Sequence, residues 1–253
     1  MDRTLGRGGP AVSPLGYGAF KIGRNAGVKY ASPYDLPDEV TAARLLNGVL
    51  DMGIRLIDTA PAYGTSEQRI GRAIAHRRSE FVLSTKAGER FEGGRSSWDF
   101  SGPAIERSAE ESLRRLRTDA VDLLLLHSDG RDIEIQREET GAVAALCHLK
   151  RRGLARRIGL SGKTPEGARS ALAWADVLMV EYHPRDRSHE GVIAEAAARG
   201  VGVLVKKPLG SGRLDPGEAI RFVLGNPGVC AGVVSSLSLA HLRENLAGAG
   251  ANL

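Results

Sequence analysis

A chain of 253 residues with 42% hydrophobic and 26% charged residues has the mixture of a folded globular protein, with room for one sizeable core and little scope for extensive disorder. There is no apolar run of 18 or more residues and no apolar stretch in MDRTLGRGGP, so neither a membrane span nor a secretory leader is expected, and the expected location is the cytoplasm. The formal charge of +5 arises from 35 basic and 30 acidic residues scattered without a recognition helix or aromatic platform, which points away from nucleic acid and suggests only a mild preference for anionic ligands.

A short N-terminal β-hairpin is expected first. From residue 38 onward helix-like patterns alternate with short apolar runs, the signature of βαβ units on a parallel sheet. Strands are predicted over 17–20, 55–58, 81–85, 121–126, 155–160, 177–180, 202–205 and 232–234, and helices near 38–52, 67–77, 103–117, 138–152, 165–174, 189–199, 216–225 and 239–247. Eight such pairs in about 250 residues predict an α/β chain folded as one (β/α)8 TIM barrel over residues 1–253. An open doubly wound sheet is the alternative, but its dinucleotide fingerprint is missing: the nearest match begins at Gly6, with too little chain before it for a strand and no helix after it. Gly162-Lys163-Thr164 ends like a P-loop but lacks the glycine required at position 157, which is Arg157. The longest irregular stretches, 21–37 and 87–102, follow strands one and three, on the face where barrels of this kind carry their active sites. Cys147 and Cys230 lack metal-like spacing with histidine and read as buried free thiols; no metal site is expected.

Asp58, Lys86 and His127 stand at the C-terminal ends of three consecutive predicted strands, and Tyr63 follows Asp58 across a turn. In a barrel these ends converge on one mouth. A tyrosine with an ordinary pKa of about 10 becomes a general acid near neutrality only if lowered by about three units, roughly 4 kcal/mol. A lysine ammonium about 4 Å away supplies an interaction of that order at an effective dielectric of about 20. Asp58 would keep Lys86 charged and oriented, and His127 would hydrogen-bond the substrate oxygen or relay a proton. A barrel lyase with Lys86 as Schiff-base nucleophile explains Lys86 alone.

The stretches DTAPAYG, STKAG and LLLLH resemble those that hold the aspartate, tyrosine, lysine and histidine tetrad of the aldo-keto reductases, in the same order and on the expected elements. The likeness extends along nearly the whole chain: LGYGAF, with Gly18, Ala19 and Phe20, to the first strand; IGLSG, with Ser161 and Gly162, to the nicotinamide loop after strand five; EYHP to the stretch after strand six; PLGSGRL to the loop that wraps the pyrophosphate, with Pro208, Leu209, Gly210, Ser211, Gly212 and Arg213; and HLREN, with His241, Glu244 and Asn245, to the helix that reads the adenosine end. The resemblance implies reduction of an aldehyde or ketone to an alcohol by NAD(P)H, with Asp58, Tyr63, Lys86 and His127 catalytic, Tyr63 as acid, and Asp58 also near the cofactor. The partner is a small carbonyl or alcohol substrate.

The cofactor side departs from the family pattern. Gly162 stands where many members have asparagine, Met179 where many have glutamine, and Lys206 where many stack a tyrosine on the nicotinamide. Ser235 and His241 occupy positions where lysine and arginine often hold the 2′-phosphate of NADP; Ser236, His241 and Arg243 are left to do so. NADP(H) is the preferred cofactor and NAD(H) the alternative. These departures leave room for a cofactor-binding regulatory barrel with slow turnover. Phe91, Trp98 and Phe100, in the loop after strand three, are the candidate apolar substrate contacts, or else anchor that loop.

Overall fold

Apolar runs such as Val121-Asp-Leu-Leu-Leu-Leu126 become strands because nearly every residue finds an apolar surface, on one face the barrel interior and on the other the surrounding helices. The computed structural model describes residues 2–28 and 33–250. A hairpin of β1 (Arg3–Thr4) and β2 (Ala11–Val12) leads into β3 (Leu15–Gly18), α1 (Glu39–Asp51), β4 (Leu56–Asp58), α2 (Ser66–Ala73) and β5 (Val82–Ala87). A second hairpin, β6 (Glu89–Glu92) and β7 (Arg95–Trp98), precedes α3 (Gly102–Leu116) and β8 (Val121–His127). The chain continues through α4 (Ala142–Arg151), β9 (Ala155–Ser161), α5 (Pro165–Ala171), β10 (Val177–Glu181), α6 (Glu190–Arg199), β11 (Gly202–Lys206), α7 (Pro216–Gly225), β12 (Ala231–Val234) and α8 (Leu239–Gly248). Strands β3, β4, β5, β8, β9, β10, β11 and β12 close in that order into a parallel barrel, β12 pairing back onto β3.

Alternation along each strand divides the core. Leu56, Leu123, Leu125, Met179 and Leu204 fill the barrel interior together with Leu5 and Val12 from the N-terminal hairpin, while Ile57, Leu83, Leu124, Leu126 and Ile158 pack outward against the helices. Side-chain caps fix several helix starts: Asp38 accepts from Thr41 N, Thr164 from Gly167 N and Asp215 from Glu218 N, so the loops leaving the strand ends have defined exits.

The fold is the barrel expected, with local corrections. The first barrel strand covers Leu15–Gly18 instead of 17–20; it pairs with β12 and β4 only as far as Gly18, and Ala19 and Phe20 enter a 3-10 turn, Ala19–Ile22. The helix expected near 67–77 stops at Ala73 and passes into 3-10 turns over Ala75–Glu80. The helix expected from 138 begins at Ala142, because Gly141 adopts φ 73° and separates it from a 3-10 turn over Glu138–Thr140. The stretch 87–102, read as irregular, carries the β6–β7 hairpin, whose two-residue turn at Gly93 and Gly94 has φ 56° and 80°; both residues in the left-handed region is the turn that follows strand twist. Part of the other irregular stretch, residues 29–32, lies outside the described residues. Among the described residues no helix is long and apolar enough to cross a membrane, and no group of three or more His, Cys, Asp or Glu could hold a metal ion.

Candidate active site

The mouth of the barrel gathers the four residues whose spacing singled them out. β4 ends on Asp58, and Lys86 and His127 lie within β5 and β8, each slightly further inside its strand than the sequence suggested. Lys86 Nζ donates to both oxygens of Asp58, at 2.8 and 2.7 Å, and to the carbonyl of Thr59 at 2.9 Å. Ser84 Oγ donates to Asp58 Oδ1 at 2.9 Å. The side chains of Lys86 and Asp58 are only 1% and 4% exposed, so the pair depends on this saturation of its donors and acceptors. With its ammonium protons directed at Asp58 and Thr59, Lys86 is badly placed to act as a nucleophilic amine.

A 3-10 turn at Pro61–Tyr63 brings Tyr63 over this pair. Lys86 Nζ lies 4.7 Å from the centre of the Tyr63 ring. Phe20 meets the same ring edge to face at 5.0 Å, and the His127 ring stands at 6.0 Å and nearly perpendicular to it. Burial, then the cations Lys86, Lys206, Lys163 and Arg24, hold His127 well below the usual histidine range, so it is neutral near pH 7.

Two residues that spacing had not singled out complete this side. Glu89, at the start of β6, places Oε2 3.0 Å from His127 Nδ1, but at an angle too bent for a hydrogen bond. Arg24 donates to Ala62 O at 3.0 Å, stands 3.9 Å from Glu89 Oε1, and lies 3.6 Å from the ring centre of Phe91. The Gly93-Gly94 pair was the sequence signal for the hairpin that carries Glu89. The aromatic residues divide: Phe100 is buried and packs so closely on Gly88, at φ 105°, that a Cβ there would lie 2.6 Å from its ring. Phe100 is therefore the loop anchor, whereas Trp98 is 44% exposed.

The rest of the rim carries the residues assigned to the cofactor. Ser161 and Gly162 close β9, and Lys206 at the end of β11 folds inward to donate to Ser161 Oγ at 3.2 Å and to the Gly162 carbonyl. Burial, reinforced by Lys207 and Lys86, lowers Lys206 to about 7. Gly162 faces Asp132: a Cβ there would lie 2.9 Å from Asp132 Oδ2, which accepts from Lys163 N, Thr164 N and Thr164 Oγ1. Met179 is 1% exposed inside the barrel and presents no polar group to a carboxamide. Gly18 is confined by Ser235, whose Oγ donates to its carbonyl at 2.7 Å; that hydroxyl proton is already used. Ser236 Oγ accepts from Ser238 N and donates to Ser238 O. On α8 His241 and Glu244 are exposed and Asn245 is buried.

A dinucleotide has a fitting place along this rim. After β11 the backbone turns through positive φ at Lys207, Gly210, Ser211 and Gly212, and this segment, with Pro208, Leu209 and Arg213, borders a cleft lined by Glu181, His183, Arg185, Lys207, Ser211 and Arg213. Arg185 and Arg213 beside a tightly turned backbone suit a pyrophosphate, while Lys207 is paired with Glu181 across the same cleft. His183 Nδ1, buried beside this cleft, has no hydrogen-bond partner among the described residues.

The comparisons with known proteins agree with this geometry. The model of the aldo/keto reductase family matches residues 14–219. A solved chain described as an aldo-keto reductase from Pseudomonas aeruginosa is 44% identical, with a TM-score of 0.90, the match covering 98% of this chain and 94% of that one. Among curated proteins, the L-galactose dehydrogenase of Arabidopsis thaliana is 31% identical over 84% of this chain and 66% of its own length, and the D-threo-aldose 1-dehydrogenase of a Pseudomonas species is 32% identical over 84% and 70%. The chain thus spans about two thirds of the length of the first curated relatives that it matches. With its barrel closed in the expected order and its Asp, Tyr, Lys and His gathered at one mouth, the chain belongs to the aldo/keto reductase family.

Proposed function

We propose that the protein is an oxidoreductase that interconverts an aldehyde or ketone and the corresponding alcohol with a nicotinamide cofactor, Tyr63 acting as general acid in reduction and as general base in oxidation. The observation that carries this reading is the buried Lys86–Asp58 pair set against the ring of Tyr63, with His127 across the same ring. The nicotinamide supplies or accepts the hydride when bound. Lys86, held by Asp58 and Thr59 while Ser84 in turn holds Asp58, cannot swing away, and its positive charge favours the phenolate of Tyr63 over the phenol. Tyr63 gives its proton to the substrate oxygen as the carbonyl carbon is reduced, and takes it back in the reverse direction. His127, neutral and buried, offers that oxygen a hydrogen-bonding ring nitrogen without introducing a competing charge. Phe20 and the barrel wall limit water around Tyr63.

Ser161, Gly162 and Lys206 hold the nicotinamide end; Gly18, Ala19, Phe20 and Met179 form its floor; residues 208–213 wrap the pyrophosphate; and Ser235, Ser236, His241, Glu244 and Asn245 receive the adenosine end. Lys206 offers the polar contact that Gly162 and Met179 do not. NADP(H) is the preferred cofactor, although with the Ser235 and Ser236 hydroxyl protons bound to Gly18 and Ser238 the 2′-phosphate would rest chiefly on His241 and Arg243. Fluorescence titration with NADPH and NADH tests the reading. Saturation in the micromolar range with tighter NADPH is expected; equal affinities would remove the NADP preference, and failure of both to bind would remove the hydride source and the reading with it.

A further inference from the structure

Glu89 is held from two sides before it meets His127. Its Oε1 accepts from Ser96 Oγ at 2.7 Å across the β6–β7 hairpin and faces Arg24 Nη1 at 3.9 Å. Arg24 in turn is fixed by the carbonyls of Ala26 and Ala62 and by Ser96 Oγ. With one oxygen secured, the other is aimed at His127 Nδ1, 3.0 Å away in a largely buried setting. The groups facing His127 from the other elements are cations, namely Lys86 on β5, Lys206 on β11, Lys163 after β9 and Arg24 after β3, together with the phenol of Tyr63. A carboxylate fastened in that position has one evident consequence for the imidazole: it fixes which ring nitrogen is turned away from the mouth.

We propose that Glu89 is a positioning residue for His127, fastened by Ser96 and Arg24, so that the β6–β7 hairpin determines where the substrate oxygen is held. This deepens the proposed function and rests on it for the role of His127. A modest rotation of the imidazole straightens the contact into an Nδ1–H···Oε2 hydrogen bond and leaves Nε2 for the substrate. Ser96 acts chiefly through Glu89, to which it donates at 2.7 Å, and more weakly through Arg24, which reaches Ser96 Oγ at 3.4 Å and also donates to Ala62 O.

The test compares the wild type with Glu89→Gln, Glu89→Ala and Ser96→Ala by two readouts. The first is the NMR titration of the His127 ring in the free protein, which needs neither cofactor nor turnover. Loss of the carboxylate is expected to lower the His127 pKa by about one unit or more, with Ser96→Ala giving a smaller shift in the same direction. The second is steady-state reduction of 4-nitrobenzaldehyde with NADPH, where Glu89→Gln is expected to lower kcat/KM roughly tenfold to a hundredfold through displaced alignment while NADPH binding stays as in the wild type. Should Glu89→Ala fail to fold, Ser96→Ala alone must still move both readouts. Unchanged His127 titration and unchanged kcat/KM in Glu89→Gln would overturn the proposal. A wild type that turns over no carbonyl would instead count against the proposed function, with the His127 titration still deciding whether Glu89 acts on the ring.

Discussion

Along the mouth from β3 to β8, side chains hold other side chains: Ser84 and Lys86 hold Asp58, Ser96 and Arg24 hold Glu89, and Glu89 faces His127. From β9 round to β12 side chains hold the backbone: Asp132 accepts from the amides of Lys163 and Thr164, Lys206 donates to the carbonyl of Gly162, and Ser235 donates to that of Gly18. The first arc thereby fixes charges at defined points, as proton transfer requires. The second shapes peptide surfaces, and an elongated ligand with phosphates and an amide is met chiefly by such surfaces. On the proposed function the first arc carries the chemistry and the second most of the ligand holding, with Gly18, Ala19 and Phe20 of the first arc meeting the ligand as well.

Substitutions on the two arcs should therefore have different signatures. The largest effect is expected from Tyr63→Phe, which removes the proposed proton donor and should lower turnover by roughly 10²–10⁴-fold while cofactor titration is unchanged; near-normal carbonyl reduction would end the acid role. Lys86→Met comes next and differs by also costing stability, since Asp58 would be left buried and unpaired at about 3–5 kcal/mol; denaturant unfolding reads this directly, and wild-type stability with wild-type rates would break the account of the first arc.

On the second arc, Lys206→Met should leave the chemistry in place and weaken cofactor binding roughly tenfold, about the worth of one charge-assisted hydrogen bond. The pH dependence sharpens the contrast. Lys206, lowered to about 7 in the free protein, is protonated below that value and neutral above it. An anionic cofactor favours the protonated form, so its affinity should be greatest below about pH 7 and weaken by up to about tenfold per unit above it, until the pKa in the complex is reached. Lys206→Met should flatten that profile, and a wild-type profile already flat would show that Lys206 does not face the cofactor's charge. The smallest effect is expected from Trp98→Ala: a rise of roughly twofold to fivefold in KM for an aromatic aldehyde, with unchanged thermal stability because the ring is exposed. A loss of stability instead would make Trp98 an anchor like Phe100.

The alternation of apolar runs and helix patterns was sufficient to read the barrel because parallel strands buried on both faces leave a local mark, Leu123 to Leu126 being the clearest. Asp58, Lys86 and His127 were legible as neighbours for a related reason: each is an ionisable residue that interrupts an apolar run at a strand end, and closure brings those ends to one mouth. Glu89 was hidden because its meaning depends on a hairpin turn and on an approach to His127 from 38 positions along the chain. Lys206 was visible as a departure from the family pattern, but its inward fold onto Gly162, 44 positions away, is a property of closure. The end of β3 was misplaced because Ala19 and Phe20 suit a strand as well as a turn, and only pairing with β12 and β4 decides between them.

The first hairpin has a consequence of its own. Leu5 and Val12 are fully buried among the inward side chains of β4, β8, β11 and β12, and Gly6 sits against Gly202, where β11 begins. They act as a stopper that completes the packed interior at the end of the barrel opposite the mouth. If the proposed function holds, cofactor and substrate are both received at the open rim, and the far end of the barrel is left to stability alone.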